Sequence, residues 1–394
     1  MYKPELLAPV SSFAMLNAAI EAGCDSVYFG VKEFNMRITA DNFSLSKLKQ
    51  VVSICHKNNV KAYLTLNTII YENELEKIKK ILRQAKKYGI DAIICWDLSV
   101  IREAKKLGLT IHLSTQASVS NSESALFYKK LGVKRIVLAR ECSLEDIKKI
   151  QKKTKMELEV FVHGAMCVAE SGRCLTSQFI FGKSANRGDC MQPCRRSYIV
   201  KDAETGFELK LENNHILSAK DLCTLPFIEK LIEAKITAFK LEGRARSPEY
   251  VKIVTEVYRE AIDTYPNIDK EKLIGKLRTV YNRGFSSGFF LGKPINEFSN
   301  VYGSKATRKK IYLGHILKFY KKSNVAEIAI DSNELNLGDN VLIIGNKTGV
   351  KEEKISSIEI NHEKVKNVKK SQKAGIKLNN LVRKNDKVYL IKEN

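Results

Sequence analysis

Short apolar runs rich in β-branched and aromatic residues alternate with longer amphipathic stretches through the first 265 residues. Runs of this kind read as buried strands, and stretches with a period near 3.6 read as helices packed against them. The strand candidates are Glu5–Val10, Ser26–Val31, Lys61–Leu66, Ala92–Trp96, Thr110–Ser114, Arg135–Ala139, Glu157–Val162 and Thr237–Leu241. Between them, Glu72–Tyr88 places Leu75, Ile78, Ile81, Leu82 and Ala85 on one helical face. Gly23, Gly89, Gly108 and Gly132 stand where a helix would end, the position that favours a left-handed residue. Eight strands, each followed by a helix, predict an α/β fold of the (β/α)8 TIM-like barrel type. An open doubly wound sheet is the competing arrangement, but no G-x-G-x-x-G follows the first strand to support a dinucleotide-binding version.

Two departures from this rhythm carry the functional information. Between Val162 and Thr237 about 75 residues replace the usual loop of a few residues. After Asn267 the alternation stops, and Lys272–Gly292 contains NRGFSSGFFLG, a glycine- and aromatic-rich stretch unlike a helix. From about Ile311 onward short strand patterns separated by turn residues predict a small β-barrel. The expected organisation is therefore residues 1–300 as a catalytic barrel with a cysteine-rich loop at 163–223, and residues 305–394 as a β-domain.

Charge sharpens this picture. The chain has 67 Lys+Arg against 44 Asp+Glu, a net +23, and residues 305–394 hold 20 Lys+Arg against 10 Asp+Glu. A basic β-domain beside a catalytic barrel suits a polyanionic partner, with nucleic acid first; a dimerisation or purely structural module is the alternative. No apolar run approaches the ~20 residues of a membrane span, and the start lacks the basic and apolar regions of a secretory signal. A cytoplasmic protein with no membrane partner is expected.

Nine cysteines divide into two groups. Cys24, Cys55, Cys95 and Cys142 fall at or near predicted strands and helices and read as small buried hydrophobes. Cys167, Cys174, Cys190, Cys194 and Cys223 fall within 57 residues of the long insertion. In a cytosolic setting such a cluster points to a metal or iron–sulfur site rather than to disulfides. Zinc fits poorly, because only Cys190 and Cys194 form a close pair, whereas an iron–sulfur cluster takes four thiolates at looser spacing. Chemistry in a TIM barrel belongs at the C-terminal ends of the strands. The polar residues predicted there are Lys32, Arg37, Asn67, Asp97, Ser114, Gln116, Arg140, Glu141, His163, Glu242 and Arg244, many of them expected to be helix caps or loop residues. Arg173, Arg187, Arg195 and Arg196 add positive charge to the cysteine loop.

The pattern Glu159-x-Phe161-x2-Gly164-Ala165-Met166-Cys167-x4-Gly172-x-Cys174-x2-Ser177 closely resembles the signature of the collagenase-like peptidase family, family 32 of the unknown-mechanism (U) class. Thr176 stands where that signature usually has an aliphatic residue. The resemblance continues through ANRGDCMQPCR, SAKDLC, KLEGRARSPEYV and NRGFSSGFFLG, and through PELLAPVSS and FNMRITADNF near the start. It covers residues 1 to about 300, and the C-terminal segment resembles the family's appended β-barrel.

The family name implies proteolysis, yet no G-x-S-x-G, no H-E-x-x-H and no paired carboxylates stand out. Its better-studied members are RNA and quinone hydroxylases with a 4Fe-4S cluster, and those acting on RNA use prephenate. The resemblance thus implies hydroxylation of an RNA base, with the wobble uridine of tRNA foremost. It matches Cys167, Cys174, Cys190 and Cys223 to the cluster ligands, with Cys194 spare or replacing Cys190. A collagenase-like peptidase and an RNA-binding accessory subunit, working as a homo- or hetero-oligomer with a family member, are the alternatives. For the two carboxylates of prephenate the expected partners are Arg37, Arg140 and Arg244 at strand ends, with Arg173 and Arg187 from the loop. His163 is the candidate for proton transfer, and Glu242 is the second catalytic candidate.

Overall fold

The computed structural model describes residues 2–209, 217–301 and 303–394. Eight parallel strands close into a barrel: β1 (Glu5–Pro9), β2 (Ser26–Gly30), β3 (Lys61–Thr65), β4 (Ala92–Cys95), β5 (Ile111–Leu113), β6 (Arg135–Val137), β7 (Glu157–Gly164) and β8 (Ala238–Leu241). Each pairs with its neighbour in sequence, and β8 closes the ring by pairing with both β7 and β1. Helices lie between most successive strands. All eight expected strands are present, and the four expected helix-end glycines have positive φ.

Period-two alternation sorts the side chains of each strand. Leu6, Ala8, Val27, Phe29, Leu64 and Phe239 join the helices in one large core. Leu7, Tyr28, Tyr63, Ala92 and Ile94 form a separate small cluster, as residues on the opposite strand face must when they fill the lumen. At the N-terminal ends of the strands the filling is ionic. Arg135 pairs with Glu5 at 2.9 Å, Glu157 at 2.9 Å and Glu159 at 3.4 Å, and Lys240 meets Glu159 at 2.7 Å.

The long connection after β7 holds a short helix at Thr176–Phe181 and a strand at Asp221–Cys223, which pairs antiparallel with the end of β7. Residues 210–216 of the expected cysteine-rich loop lie outside the described residues. Helix Pro248–Thr264 follows β8. The next helix, Lys270–Arg278, falls partly where the glycine-rich pattern predicts none. It is capped by the Asp269 side chain and buries Leu273 and Leu277, an i,i+4 pair on one face.

The C-terminal segment forms an eight-stranded antiparallel sheet with its own apolar core. Its strand order places Gly349–Lys354 and Glu363–Lys364 at its two edges. Both edges carry charged residues, which discourage further strand pairing. Leu342 and Val350 of this sheet pack on Ala18 of helix Phe13–Glu21. Ion pairs Lys351–Glu21 at 2.9 Å and Lys310–Glu249 at 2.6 Å flank that contact. Among the described residues no helix is long and apolar enough to cross a membrane.

Candidate active site

The C-terminal mouth of the barrel collects arginines around one carboxylate. Glu242 directly follows β8 and is 6% exposed. Arg37, from the loop after β2, donates to its Oε1 at 3.1 Å and also bonds the Met36 carbonyl at 2.8 Å. Burial opposes ionisation of Glu242, but Arg37, Arg246 and Arg140 outweigh it and hold its pKa below the usual value. Gly164 at the end of β7 has φ +108°, and a Cβ there would meet the Glu242 backbone oxygen at 2.8 Å. That position therefore admits little but glycine if the two strand ends are to approach.

Two of the arginines lack adequate counter-charge. Arg244 is buried, bonded to the neutral oxygens of Asn35 and Thr65 at 3.1 Å each and lying over Tyr28. Burial and the charge of Arg37 bring its pKa down to about 10. Arg140 donates to the Ala165 carbonyl at 2.8 Å and sits 4.1 Å from the Phe161 ring centroid, and its buried Nε has no partner among the described residues. Its pKa is also lowered, mainly by burial. Among the described residues neither pairs with a carboxylate at hydrogen-bond distance, although Glu242 acts on both through its field. A buried guanidinium without an anion is costly to the fold.

The thiol loop adjoins the mouth. The charge of a Cys167 thiolate would act on both Arg37 and Arg140, and Arg37 acts on Cys190. Cys190 and Cys194 are each influenced by Cys167 and Cys174, so these four loop thiols are neighbours. Burial raises the pKa of both Cys190 and Cys194. Gly188 sets the loop's distance from the barrel. A Cβ there would lie 2.2 Å from the Asn35 carbonyl oxygen, and its own carbonyl accepts from Ile38 N at 3.2 Å. The segment that carries Cys190 thus rests on the segment that carries Arg37.

Cys223 is placed differently. It lies in the strand beside β7, paired with His163, and is 2% exposed with the Tyr258 hydroxyl 3.9 Å from its sulfur. Among the described residues no three His, Cys, Asp or Glu side chains converge as they would around a single metal ion. The loop offers several thiols and few carboxylates, a donor set suited to soft metals rather than to a hard cation.

The other expected residues separate by role. Arg187 is held at the barrel rim, bonded to both oxygens of Glu74 and lying 4.8 Å from the Tyr71 ring centroid. It ties the cysteine loop to the barrel and is not in the mouth. Arg173 is exposed and lies 3.8 Å from Glu170. His163 is 2% exposed, walled by Tyr250, Tyr258 and Phe285. Burial lowers its pKa to about 3, so the ring stays neutral near pH 7 and is packed as a core residue. Asp97 caps the helix Leu98–Lys106, while Asn67, Ser114 and Gln116 bond to one another beneath the rim.

Sequence reasoning passed over Arg246, Tyr281 and Arg283. Arg246 stands two residues after Arg244, and its guanidinium lies 3.7 Å from the Tyr281 ring centroid. Its place at a strand end, in the same loop as Glu242, was the available signal.

Fold and site together define a TIM-barrel protein whose arginine-lined mouth is overhung by a loop of thiols. Sequence comparison agrees with that architecture: the chain belongs to peptidase family U32, whose pattern matches residues 11–300. It is 43% identical to a protein of Methanocaldococcus jannaschii named as an uncharacterized protease, over 100% of this chain and 99% of that one. It is 42% identical to a collagenase of Porphyromonas gingivalis, over 98% of this chain and 97% of that one. It is also 32% identical to a tRNA hydroxylation protein of Bacillus subtilis, covering 87% of this chain and 84% of that one.

Proposed function

We propose that this protein hydroxylates a base in RNA, with the wobble uridine of tRNA as the target and prephenate as co-substrate. The observation that carries the reading is the mouth itself, where Arg37, Arg140 and Arg244 surround a single carboxylate, Glu242, beside a loop of four thiols. The similarity to a tRNA hydroxylation protein supports RNA as the substrate class.

In this reading Arg140 and Arg244 take the carboxylates of the small dianion, as guanidinium forks are shaped to do. Glu242 holds Arg37 in place and keeps the local field from becoming so positive that the three arginines repel. The apolar layer of Leu7, Tyr28, Tyr63, Ala92 and Ile94 floors the site and excludes water from below. Cys167, Cys174 and Cys190 would hold three corners of a 4Fe-4S cluster, with Cys223 the fourth by spacing, for which its thiol must turn from Tyr258 towards the loop. When bound, such a cluster supplies one-electron chemistry next to the arginines.

The collagenase name of one relative makes a peptidase the second reading. Against it, His163 is bonded to the buried Tyr258 hydroxyl rather than to an exposed nucleophile. The test is a gene-deletion strain complemented with the wild-type protein or with Arg244→Lys, followed by mass spectrometry of tRNA nucleosides. Hydroxylated uridine should return with the wild type and stay absent or sharply reduced with the variant. Restoration by neither protein, together with gelatin digestion by the purified wild type, would favour the peptidase.

A further inference from the structure

A cleft of about 430 Å³ separates the barrel from the C-terminal sheet, within the size range of small-ligand sites. One wall is the first turns of helix Pro248–Thr264 with Tyr281, and the other is the strand that begins at Arg308. Its three side-chain carboxylates each lie beside a cation: Glu249 beside Lys310, Glu256 beside Lys252, and Glu352 beside Arg308, which also pairs with Glu393. Lys309 on the same wall is exposed. The lining therefore does not repel a polyanion.

The inner end of the cleft, at Ser247 and Tyr281, abuts the loop that carries Glu242, Arg244 and Arg246. Arg246 lies 3.7 Å from the Tyr281 ring centroid and 6.0 Å from that of Tyr250, and Arg283 lies 5.1 Å from the Tyr281 centroid. The carboxylates nearby are Glu242, whose charge acts on Arg246, and Asp221, 3.7 Å from Arg283. Arg246 and Tyr281 are only half-buried, so both can be reached from solvent. An aromatic face paired with guanidinium is the surface on which nucleic-acid bases stack, and exposed lysine beside it is what a phosphate chain needs.

We propose that this interdomain cleft is the track by which a single-stranded RNA segment reaches the barrel mouth, with Tyr281 and Arg246 stacking on a base and Lys309 meeting a phosphate. The proposal rests on RNA being the substrate. It gives the C-terminal domain a specific task, since the strand would run between the two domains and enter the mouth past Arg246.

The test measures binding of a fluorescein-labelled anticodon stem–loop RNA to the full-length protein by anisotropy. The variants are Tyr281→Ala, Tyr281→Phe and Lys309→Gln. Tyr281→Ala should weaken binding about five- to a hundredfold, the range for losing one stacked base. Tyr281→Phe, which keeps the ring, should stay within about twofold. Lys309→Gln, at an exposed position that folding does not need, should reduce the salt dependence by about one phosphate contact. A photo-crosslink from thiouridine-substituted RNA should map to peptides lining the cleft. If the wild type binds RNA but Tyr281→Ala and Lys309→Gln bind equally well and crosslinks fall elsewhere, the cleft is not the track while RNA remains the substrate. If the wild type does not bind RNA, both readings fall.

Discussion

Replacing Glu242 by Gln removes the carboxylate that Arg37, Arg140 and Arg246 surround while keeping its shape. Removing one partner of a buried ion pair costs about 3–5 kcal/mol, because the remaining charge is left without an anion. Arg37, the direct partner, keeps 37% of its side chain in water. Water screens that half of the pair, so the expected loss is nearer ~2 kcal/mol. At about 2–4 °C per kcal/mol in a domain of this order, the melting temperature should fall by roughly 4–8 °C. A small dianion should then do what Glu242 did. A ligand at a hundred times its Kd stabilises by about 2.7 kcal/mol, enough to offset the loss. Thermal melts of wild type and Glu242→Gln, with and without malonate at constant ionic strength, measure both effects. Malonate should raise the variant's melting temperature more than the wild type's. Equal melting temperatures without malonate, or equal shifts with it, would refute the claim that the mouth carries excess positive charge.

Iron and sulfide analysis after anaerobic purification should show loss of both in Cys174→Ala, retention in Cys194→Ala and loss in Cys223→Ala; the opposite result for the last two would move the fourth ligand to Cys194, which already lies beside the other loop thiols. Burial alone would raise the pKa of Glu5, but the hydrogen bonds and charge of Arg135, with Ser26 and Tyr63, bring it to about 2. A lowered folded-state pKa contributes stability that is present above the unfolded value, near 4.5, and is lost as pH falls towards 2. Urea titrations between those pH values should therefore show a loss of about 3 kcal/mol in the wild type that is absent in Glu5→Gln. Changing exposed Lys369, Lys370 and Lys373 together to Gln should flatten the salt dependence of RNA binding if the C-terminal sheet contacts phosphates; an unchanged slope would leave that domain a structural role.

The barrel was legible because its strands are short apolar runs with helical periods between them, a pattern set by burial on both faces of a parallel sheet. Gly188 and Arg187 show where legibility ends. Arg187 follows the expected motif, but its bond to Glu74 spans 113 residues and depends on how the cysteine loop folds back. No local pattern announces that. His163 was misleading for a related reason: a histidine at a strand end reads as functional, yet here Tyr258, from a helix 95 residues later, encloses it. Helix Lys270–Arg278 was hidden because its two buried leucines are flanked by lysines and a glycine, which dilute the periodicity.

The charges of the lumen, taken from the N-terminal end of the strands upward, explain why the chemistry belongs at the top. At the bottom Arg135 and Lys240 face Glu5, Glu157 and Glu159, and every charged group has a partner within 3.4 Å. That layer is complete without a ligand and serves stability. At the top Arg37, Arg140, Arg244 and Arg246 share Glu242, with Asp221 also acting on Arg246, and neither Arg140 nor Arg244 has a carboxylate at hydrogen-bond distance among the described residues. Uncompensated buried charge destabilises the fold, so a protein that needed only stability would have neutral residues there, as replacement of buried ions by apolar groups is often neutral or favourable. The cost is rational if an anion occupies the mouth while the protein works. The bottom layer shows that this chain can balance buried charge where balance is all that is required, which makes the imbalance at the top a property of the site rather than of the barrel.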